Sequence, residues 1–347
     1  MIHKTGSRDE QPMKYAVGYP NHLRSSFFAL VTPYLDKIDE LYFPWEGFSG
    51  GRAPFGRDDL TARARLEEEL KQFSLGGVRL NLLLNGSCYG GEAISNELAR
   101  RVCLTAEYLC ERYNLAVVTT ASPFIAHVLK QYFPHLEVRA SVNMWIDGIE
   151  GMRQCGGLFD SFYLKREYNR RPQEIEKQHA WCKEHGKKLY MLANSGCIPN
   201  CAFHIFHDTM VSHSAEVMRT VNDDSFQPYN CRRVMAQEEN RYLLLAGNTV
   251  RPEDIHHYEG LVDGVKLATR IHPYPATIIG AYARERFAGD LCALTEPGFG
   301  DLLAPYILDN TAVPEDFWQV TASCSRNCAE CGYCRSVYEQ ILRKIEV

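Results

Sequence analysis

The sequence has no uninterrupted apolar run long enough to span a bilayer, and Met1 to Pro12 are polar, without a signal-peptide stretch. A soluble, cytoplasmic protein with no membrane partner is expected. Excess charge is also scarce. Lys plus Arg total 38 and Asp plus Glu total 43, a formal net charge of −5, which argues against broad charge-driven nucleic-acid binding. Low-complexity tracts and short repeats are absent. There is no good GxGxxG turn, which disfavours a doubly wound dinucleotide-binding sheet. The Gly-rich segment Phe48–Arg57 lacks a phosphate-loop lysine; it reads as a loop over a site, with Arg52 or Arg57 available to an anion. Cysteine is what abounds, with 13 in 347 residues. In a reducing compartment disulfides do not persist, so metal, cluster or redox chemistry is the first expectation.

Short β-rich runs alternate with amphipathic helical runs. Candidate strands are Tyr15–Tyr19, Glu40–Phe43, Val78–Leu84, Leu115–Thr119, Val138–Trp145, Ser161–Lys165, Lys188–Ala193, Tyr242–Ala246 and Gly264–Ala268. Leu60, Leu66, Leu70 and Phe73 mark one helical face; Ile94, Leu98, Val102, Ala106, Leu109 and Tyr113 mark another. Pro252-Glu253-Asp254 reads as a helix start. Such alternation implies parallel strands joined by crossover helices, and a TIM-like (β/α)8 barrel fits the length. Nine candidates exceed eight, and Tyr242–Ala246, preceded by a long irregular segment, is the one to discard. The expected organisation is a flexible tail over 1–13, a barrel with a cluster site over 14–288 and a C-terminal cysteine-rich extension over 289–347. The extension ends in a helix with Val337, Ile341 and Ile345 on one face.

The densest signal is Cys324-Ser-Arg-Asn-Cys328-Ala-Glu-Cys331-Gly-Tyr-Cys334. Runs this dense wrap multi-iron clusters in ferredoxins, where the fourth cysteine sometimes serves another cluster. Mononuclear zinc is the competitor, but it usually takes two cysteine knuckles separated by a longer loop. The first three cysteines spell C-x3-C-x2-C, the spacing of radical S-adenosylmethionine enzymes. Their place after the last strand, with a fourth cysteine available, favours a fully ligated auxiliary cluster. A second group, Cys197, Cys201 and Cys231, starts on a turn-rich loop at a strand's carboxyl end, the active face of a barrel. Cys88, on the loop after Val78–Leu84, is chosen as fourth ligand, with His204, His207 and Cys155 as alternatives; three unrelated thiols are the bland reading. Cys103, Cys110, Cys155, Cys182 and Cys292 then remain as structural residues.

Basic residues gather near strand ends: Lys165, Arg166, Asn169 and Arg170 after one strand, Lys266 and Arg270 in or after the last. Arginine suits bidentate capture of carboxylate or phosphate, so an anionic substrate near the Cys88/Cys197 site is one reading. An ion-pair rim with Glu167 and Asp263 is the other. Of the histidines, His204, His207 and His213 read as ligands, acid–base groups or plain loop residues, while His256 and His257 read as surface. Trp45 suits either a mouth or a core position.

At this point a family resemblance is visible. Arg241-Tyr-Leu-Leu-Leu-Ala-Gly-Asn248, Val265-Lys-Leu-Ala-Thr-Arg270, Pro273 and the helix holding Tyr282 resemble U32 peptidase-like proteins. So do Glu40-Leu-Tyr-Phe43, and Ser195-Gly-Cys197 through Cys201 with Cys231-Arg232 downstream. The likeness runs from Tyr15 to about Phe287. It departs at Asn194-Ser195-Gly196, where the family has a His-Gly pair before the first cysteine, in the cysteine spacing, and in the C-terminal quartet. The resemblance implies a barrel with a cysteine-bound [4Fe–4S] cluster and, for some members, oxygen-independent hydroxylation. It also favours a substrate-orienting role for Lys266 and Arg270, with Arg166 beside them. No nucleophile–base pair supports proteolysis.

The expectation is therefore an iron–sulfur oxidoreductase with two [4Fe–4S] clusters. Cys88, Cys197, Cys201 and Cys231 hold one, and Cys324, Cys328, Cys331 and Cys334 hold the other, which transfers electrons from a donor protein. The substrate is a small anion or a modified macromolecule. The alternative is a non-catalytic electron-transfer or substrate-presenting partner of another enzyme, a radical S-adenosylmethionine enzyme among the candidates, in a hetero-oligomer.

Overall fold

A computed structural model describes residues 12–48, 60–328 and 330–345. Most of the expected tail over 1–13 and the Gly-rich loop with Arg52 and Arg57 lie outside the described residues. Eight parallel strands close into a barrel: β1 (Tyr15–Gly18), β2 (Ile38–Pro44), β3 (Arg79–Leu84), β4 (Leu115–Thr120), β5 (Glu137–Ala140), β6 (Ser161–Tyr163), β7 (Lys188–Leu192) and β8 (Gly264–Leu267). Closure pairs β8 with β1, placing Val265 opposite Tyr15. Tyr242–Ala246, the discarded ninth candidate, is helical over Leu243–Ala246. The run Val138–Trp145 stops being a strand at Ala140. Ser141 caps a 3-10 turn, its Oγ accepting from Asn143 N–H at 3.2 Å, and Trp145 takes the left-handed φ of 52°.

The helices follow from capping and spacing. Ser95 Oγ accepts from Leu98 N–H at 3.0 Å and starts Asn96–Tyr113; Leu98, Val102, Ala106, Leu109 and Tyr113 then face the barrel. Each such fully buried Leu contributes roughly 1.5–3 kcal/mol. Ile94 does not join this face, because it precedes the cap and is 80 % exposed. Pro252–Tyr258 is a 3-10 helix rather than an α-helix. No helix among the described residues is long and apolar enough to cross a membrane.

Alternation along the strands sorts their side chains. Leu41, Phe43, Leu80, Leu82, Val118, Val138, Phe162, Met191, Val265 and Leu267 join the main apolar core beneath the helices. The opposite face, the barrel interior, carries Tyr42, Tyr163, Tyr190, Glu40, Asn81, Arg139 and Lys266, all buried. Polar groups inside must be paired. Arg139 reaches Glu40 at 2.9 Å and Glu137 at 2.6 Å and lies 3.6 Å from the Tyr190 ring centre; Asn81 donates to Glu40 at 2.5 Å.

After the barrel, β9 (Tyr306–Leu308) pairs antiparallel with β10 (Leu342–Lys344). The helix Tyr333–Ile341 buries Val337 and Ile341, but Ile345 does not continue its face. The chain turns extended at Leu342, leaving Ile345 47 % exposed.

Candidate functional site

Loops leaving the carboxyl ends of β3, β5, β6, β7 and β8 bring Asn85, Asn143, Arg166, Cys197 and Arg270 to one cavity over the barrel, with Lys266 and Tyr42 also lining it. This is the face where TIM barrels carry their chemistry. Lys266 Nζ stands 4.1 Å from the Tyr42 ring centre and 5.3 Å from that of Tyr163. Burial first, then the neighbouring Arg270, pull its pKa from 10.5 to about 7. Near neutral pH this side chain thus stands between amine and ammonium, able to accept or release a proton. Arg166 donates to Asn143 Oδ1 at 3.2 Å, while its other terminal nitrogen lies 3.6 Å from Cys197 Sγ and its guanidinium covers Trp145 at 5.4 Å.

Lys266, Arg270 and Arg166 therefore converge on one cavity, with Asp208 and Glu296 among the same lining. The other basic candidates turn elsewhere. Lys165 pairs with Asp147 at 3.1 Å, and Asn169 and Arg170 donate to main-chain carbonyls. Asp263 is no rim acid: it accepts from Leu189 N–H at 2.7 Å at the barrel's amino end. Trp45 belongs to the core, against Phe43 and Tyr108.

The β7 loop is held rigidly. The Asn194 side chain accepts from Ala268 N–H at 2.6 Å and donates to the Ala268 and Leu294 carbonyls at 3.0 and 2.9 Å, joining β7, β8 and the segment beyond the barrel. Thr249 Oγ1 donates to Ser195 O at 2.7 Å. Gly196 N–H donates to Glu296 O at 3.0 Å, and a Cβ on Gly196 would sit 2.2 Å from Pro297 O, so only glycine fits this close approach. That approach carries Glu296 into the mouth.

Cys197 also lines an adjoining cavity with Cys201, Cys231, His204 and His207. The His204 ring lies tilted against Trp145, centres 3.9 Å apart, Trp145 Nε1 donates to Asp208 at 3.2 Å, and Asn230 Nδ2 lies 3.8 Å from Cys201 Sγ. Cys88 is not among the residues lining either cavity. Gly90 N–H points at its sulfur at 3.4 Å, and its loop is tied to Ser212 Oγ at 2.8 Å by Ser87 N–H. Cys155 donates within its own helix to Gly151 O at 3.3 Å. Of the candidate fourth ligands, His204 and His207 share the cavity with the three cysteines, and Cys88 and Cys155 do not. Among the described residues no three Cys, His, Asp or Glu side chains are gathered as ready ligands of a single metal ion.

Cys324, Cys328, Cys331 and Cys334 all line a separate cavity with Tyr242, Arg326 and Tyr333. Burial pushes the Cys334 thiol up in pKa, and Arg170 opposes that. A further cavity has Cys197 in its lining together with Arg170 and Phe317. Phe317 stacks on Tyr333 at 6.2 Å. Cys182 and Cys292 are buried, and Cys103 and Cys110 half-buried.

Sequence reasoning missed Asn85, Asn143, Asp208 and Glu296. Asn85 and Asn143 were findable as polar residues just past strand ends. Nothing in the pattern marked Asp208 or Glu296, whose places depend on where distant segments fold back.

No family model matches the chain. In sequence it is 26 % identical over 316 residues to the uncharacterized protease MJ1657 of Methanocaldococcus jannaschii, covering 88 % of this chain and 89 % of that one. In fold it is similar to the U32 peptidase Mk0906, with a TM-score of 0.53 and 17 % identity over 77 % of this chain and 96 % of that one. The fold is thus a TIM-type barrel similar to that of the U32 peptidase, and the sequence motifs resemble the same group.

Proposed function

We propose that the chain is an iron–sulfur oxidoreductase that modifies an anionic substrate at the barrel mouth, by oxygen-independent hydroxylation or a related reaction. One observation carries this reading. Three cysteines from two separated segments line a cavity sharing Cys197 and Arg166 with a mouth where two further buried cations, Lys266 and Arg270, converge. The donor set fits a cluster. Thiolates are its usual ligands, and Arg166 places a positive charge 3.6 Å from Cys197 Sγ. Cys197, Cys201 and Cys231 would hold it. Such a group supplies one-electron transfer and, where one iron lacks a cysteine, a Lewis-acid position. The remaining work belongs to the chain. Arg270 and Arg166 bind and orient the substrate's acid group, Lys266 Nζ holds or releases a proton beside it, and Glu296 and Asp208 limit the anions admitted. The cysteine quartet of the extension would hold the second cluster and receive electrons from a donor protein.

The relative named a protease makes peptide hydrolysis the competing activity. Anaerobic purification with iron and sulfide analysis separates the two. About eight irons per chain, with about four lost in Cys197→Ala together with turnover, support the proposal. Unchanged iron and turnover in Cys197→Ala would remove the mouth cluster, and peptide cleavage by iron-free protein would establish a hydrolase. Iron without turnover until a second protein is added would mark an electron-transfer or substrate-presenting partner.

A further inference from the structure

Charged groups inside the barrel bind one another. Glu40 is taken up by Arg139 at 2.9 Å and by Asn81, and Arg139 also reaches Glu137 at 2.6 Å. Lys266 stands outside this network. It is 8 % exposed, and among the described residues its Nζ has no hydrogen-bond acceptor and no carboxylate within ion-pair distance. What surrounds it are ring faces, Tyr42 at 4.1 Å and Tyr163 at 5.3 Å from the ring centres. Neither phenol caps the nitrogen: Tyr42 Oη donates to Leu267 O at 2.8 Å, and Tyr163 Oη accepts from Arg139 at 3.3 Å. Ring faces favour an ammonium, but they supply no acceptor in exchange for its lost water. The amine loses far less there, and burial with Arg270 beside it accordingly holds the pKa at about 7. The lone pair of that amine is engaged by no neighbour, and the side chain lines the mouth cavity.

We propose that Lys266 is a nucleophile whose Nζ forms an imine with the carbonyl carbon of a short 2-oxo acid, the acid's carboxylate being held by Arg270 and Arg166. This rests on the reading of those two arginines as the anion grip of the mouth and requires no cluster. A lysine desolvated among apolar groups and set beside a second cation is the arrangement that activates amine nucleophiles. The substrate class follows from the lining. Lys266, Arg270 and Arg166 share one cavity, arginine suits carboxylates, and a 2-oxo acid carries its electrophilic carbon one bond from its carboxylate. The cavity volume of about 100 Å³ is small beside the ~300–1,000 Å³ of sites for drug-sized ligands, which points to a short acid. In the reaction the nitrogen lone pair forms the C–N bond. The carbonyl oxygen takes both amine hydrogens and leaves as water, and C=N replaces C=O with no change of oxidation state. Asp208 and Glu296, in the same lining, are the groups that pass the protons.

The test is brief trapping of the anaerobically purified full chain at pH 7 with sodium cyanoborohydride, using pyruvate as probe and acetone as its neutral counterpart. Intact mass, peptide mapping and iron content are read on the same samples. Hydride from the reagent reduces the imine to a stable secondary amine. The chain should gain the mass of pyruvic acid less one oxygen atom, on the peptide holding Lys266. Lys266→Met should lose that adduct. Acetone with the wild type, or pyruvate with Arg270→Gln, should label about tenfold less at equal concentration, the loss of one charge-assisted pair. The wild-type peptide map and the acetone control carry the test if a variant does not fold. No adduct on the Lys266 peptide, or one no more abundant there than on the exposed Lys177, overturns the inference; pyruvate binding that still depends on Arg270 in calorimetry then leaves the anion grip standing. An adduct equally abundant with acetone and in Arg270→Gln overturns the grip, and the 2-oxo acid with it. Trapping at Lys266 in iron-free chain upholds the inference while removing the cluster.

Discussion

Replacing Lys266 with methionine should make the protein more stable and less functional at once. Burial, followed by Arg270, draws the ammonium from 10.5 to about 7. At 1.36 kcal/mol per pH unit that drop corresponds to about 5 kcal/mol of penalty for holding the charge in the folded barrel. The sign is fixed by linkage. Between pH 7 and 10.5 the unfolded chain holds the Lys266 proton and the folded chain does not, so wild-type stability rises with pH across that window. Below pH 7 the penalty is fully present. Lys266→Met removes it, keeps a straight apolar stem between Tyr42 and Tyr163, and should gain most at pH 6 and little by pH 10. For a chain of 347 residues the unfolding entropy is about 0.7 kcal/mol per kelvin, so a gain of about 5 kcal/mol corresponds to roughly 7 °C in Tm. That penalty is already net of the attraction to Glu40 and Glu296; imperfect packing of the methionine stem offsets part of the gain, which makes about 3–7 °C the expected range. Anaerobic thermal melting at pH 6, 8 and 10 reads it. A Met variant that melts below the wild type at pH 6, or whose advantage does not shrink with rising pH, refutes the reasoning. Wild-type affinity for the substrate anion should also weaken as pH rises through 7, and the variant should lose that dependence.

Gly196→Ala should distort the mouth, because its Cβ has no room beside Pro297 O; a stability loss of about 2–3 kcal/mol is expected and, under the proposed cluster, a lower iron content as well. Gly91→Ala, where nothing lies within 4 Å, should change stability by no more than about 0.5 kcal/mol, and denaturant melts of the two compare them directly. Glu40→Gln takes the charged partner from the fully buried Arg139 and should cost about 3 kcal/mol in anaerobic urea unfolding; a neutral result would mean that Glu137 alone suffices.

The barrel was legible in the sequence because its outer strand faces are apolar and its helices repeat at spacings of three and four. Even the surplus ninth strand betrayed itself through the irregular segment before it. Strand ends were less legible. Val138–Trp145 reads as one β-rich run, and only the capping of Asn143 N–H by Ser141 and the left-handed Trp145 end the strand early. The convergence of Lys266, Arg270 and Arg166 could be anticipated from carboxyl-end placement, whereas the directions of Lys165 and Arg170 could not. Neighbours in sequence, Arg166 and Arg170, face different sites because a 3-10 turn over Arg166–Tyr168 separates them. Cys88 illustrates the same limit. Its loop leaves the correct end of the barrel, but the helix His204–Ser212 ties that loop through Ser212, outside the cavity of the three other thiols.

The segment Tyr242–Ala246 gains meaning from its failure to be a strand. As a short helix it supplies Tyr242 to the cavity of the C-terminal cysteines, and Leu243, Leu244 and Leu245 to the cavity that reaches Cys197. Its Leu245 carbonyl also fixes Arg170. A ninth barrel strand would have spent these residues on sheet pairing. As a helix they stand between the two cysteine sites, and the backbone that orients the buried arginine belongs to the wall dividing them. Electron transfer between the sites, where both carry clusters, would cross this layer, whose lining also holds Arg170 and Arg251, and the Phe317–Tyr333 stack.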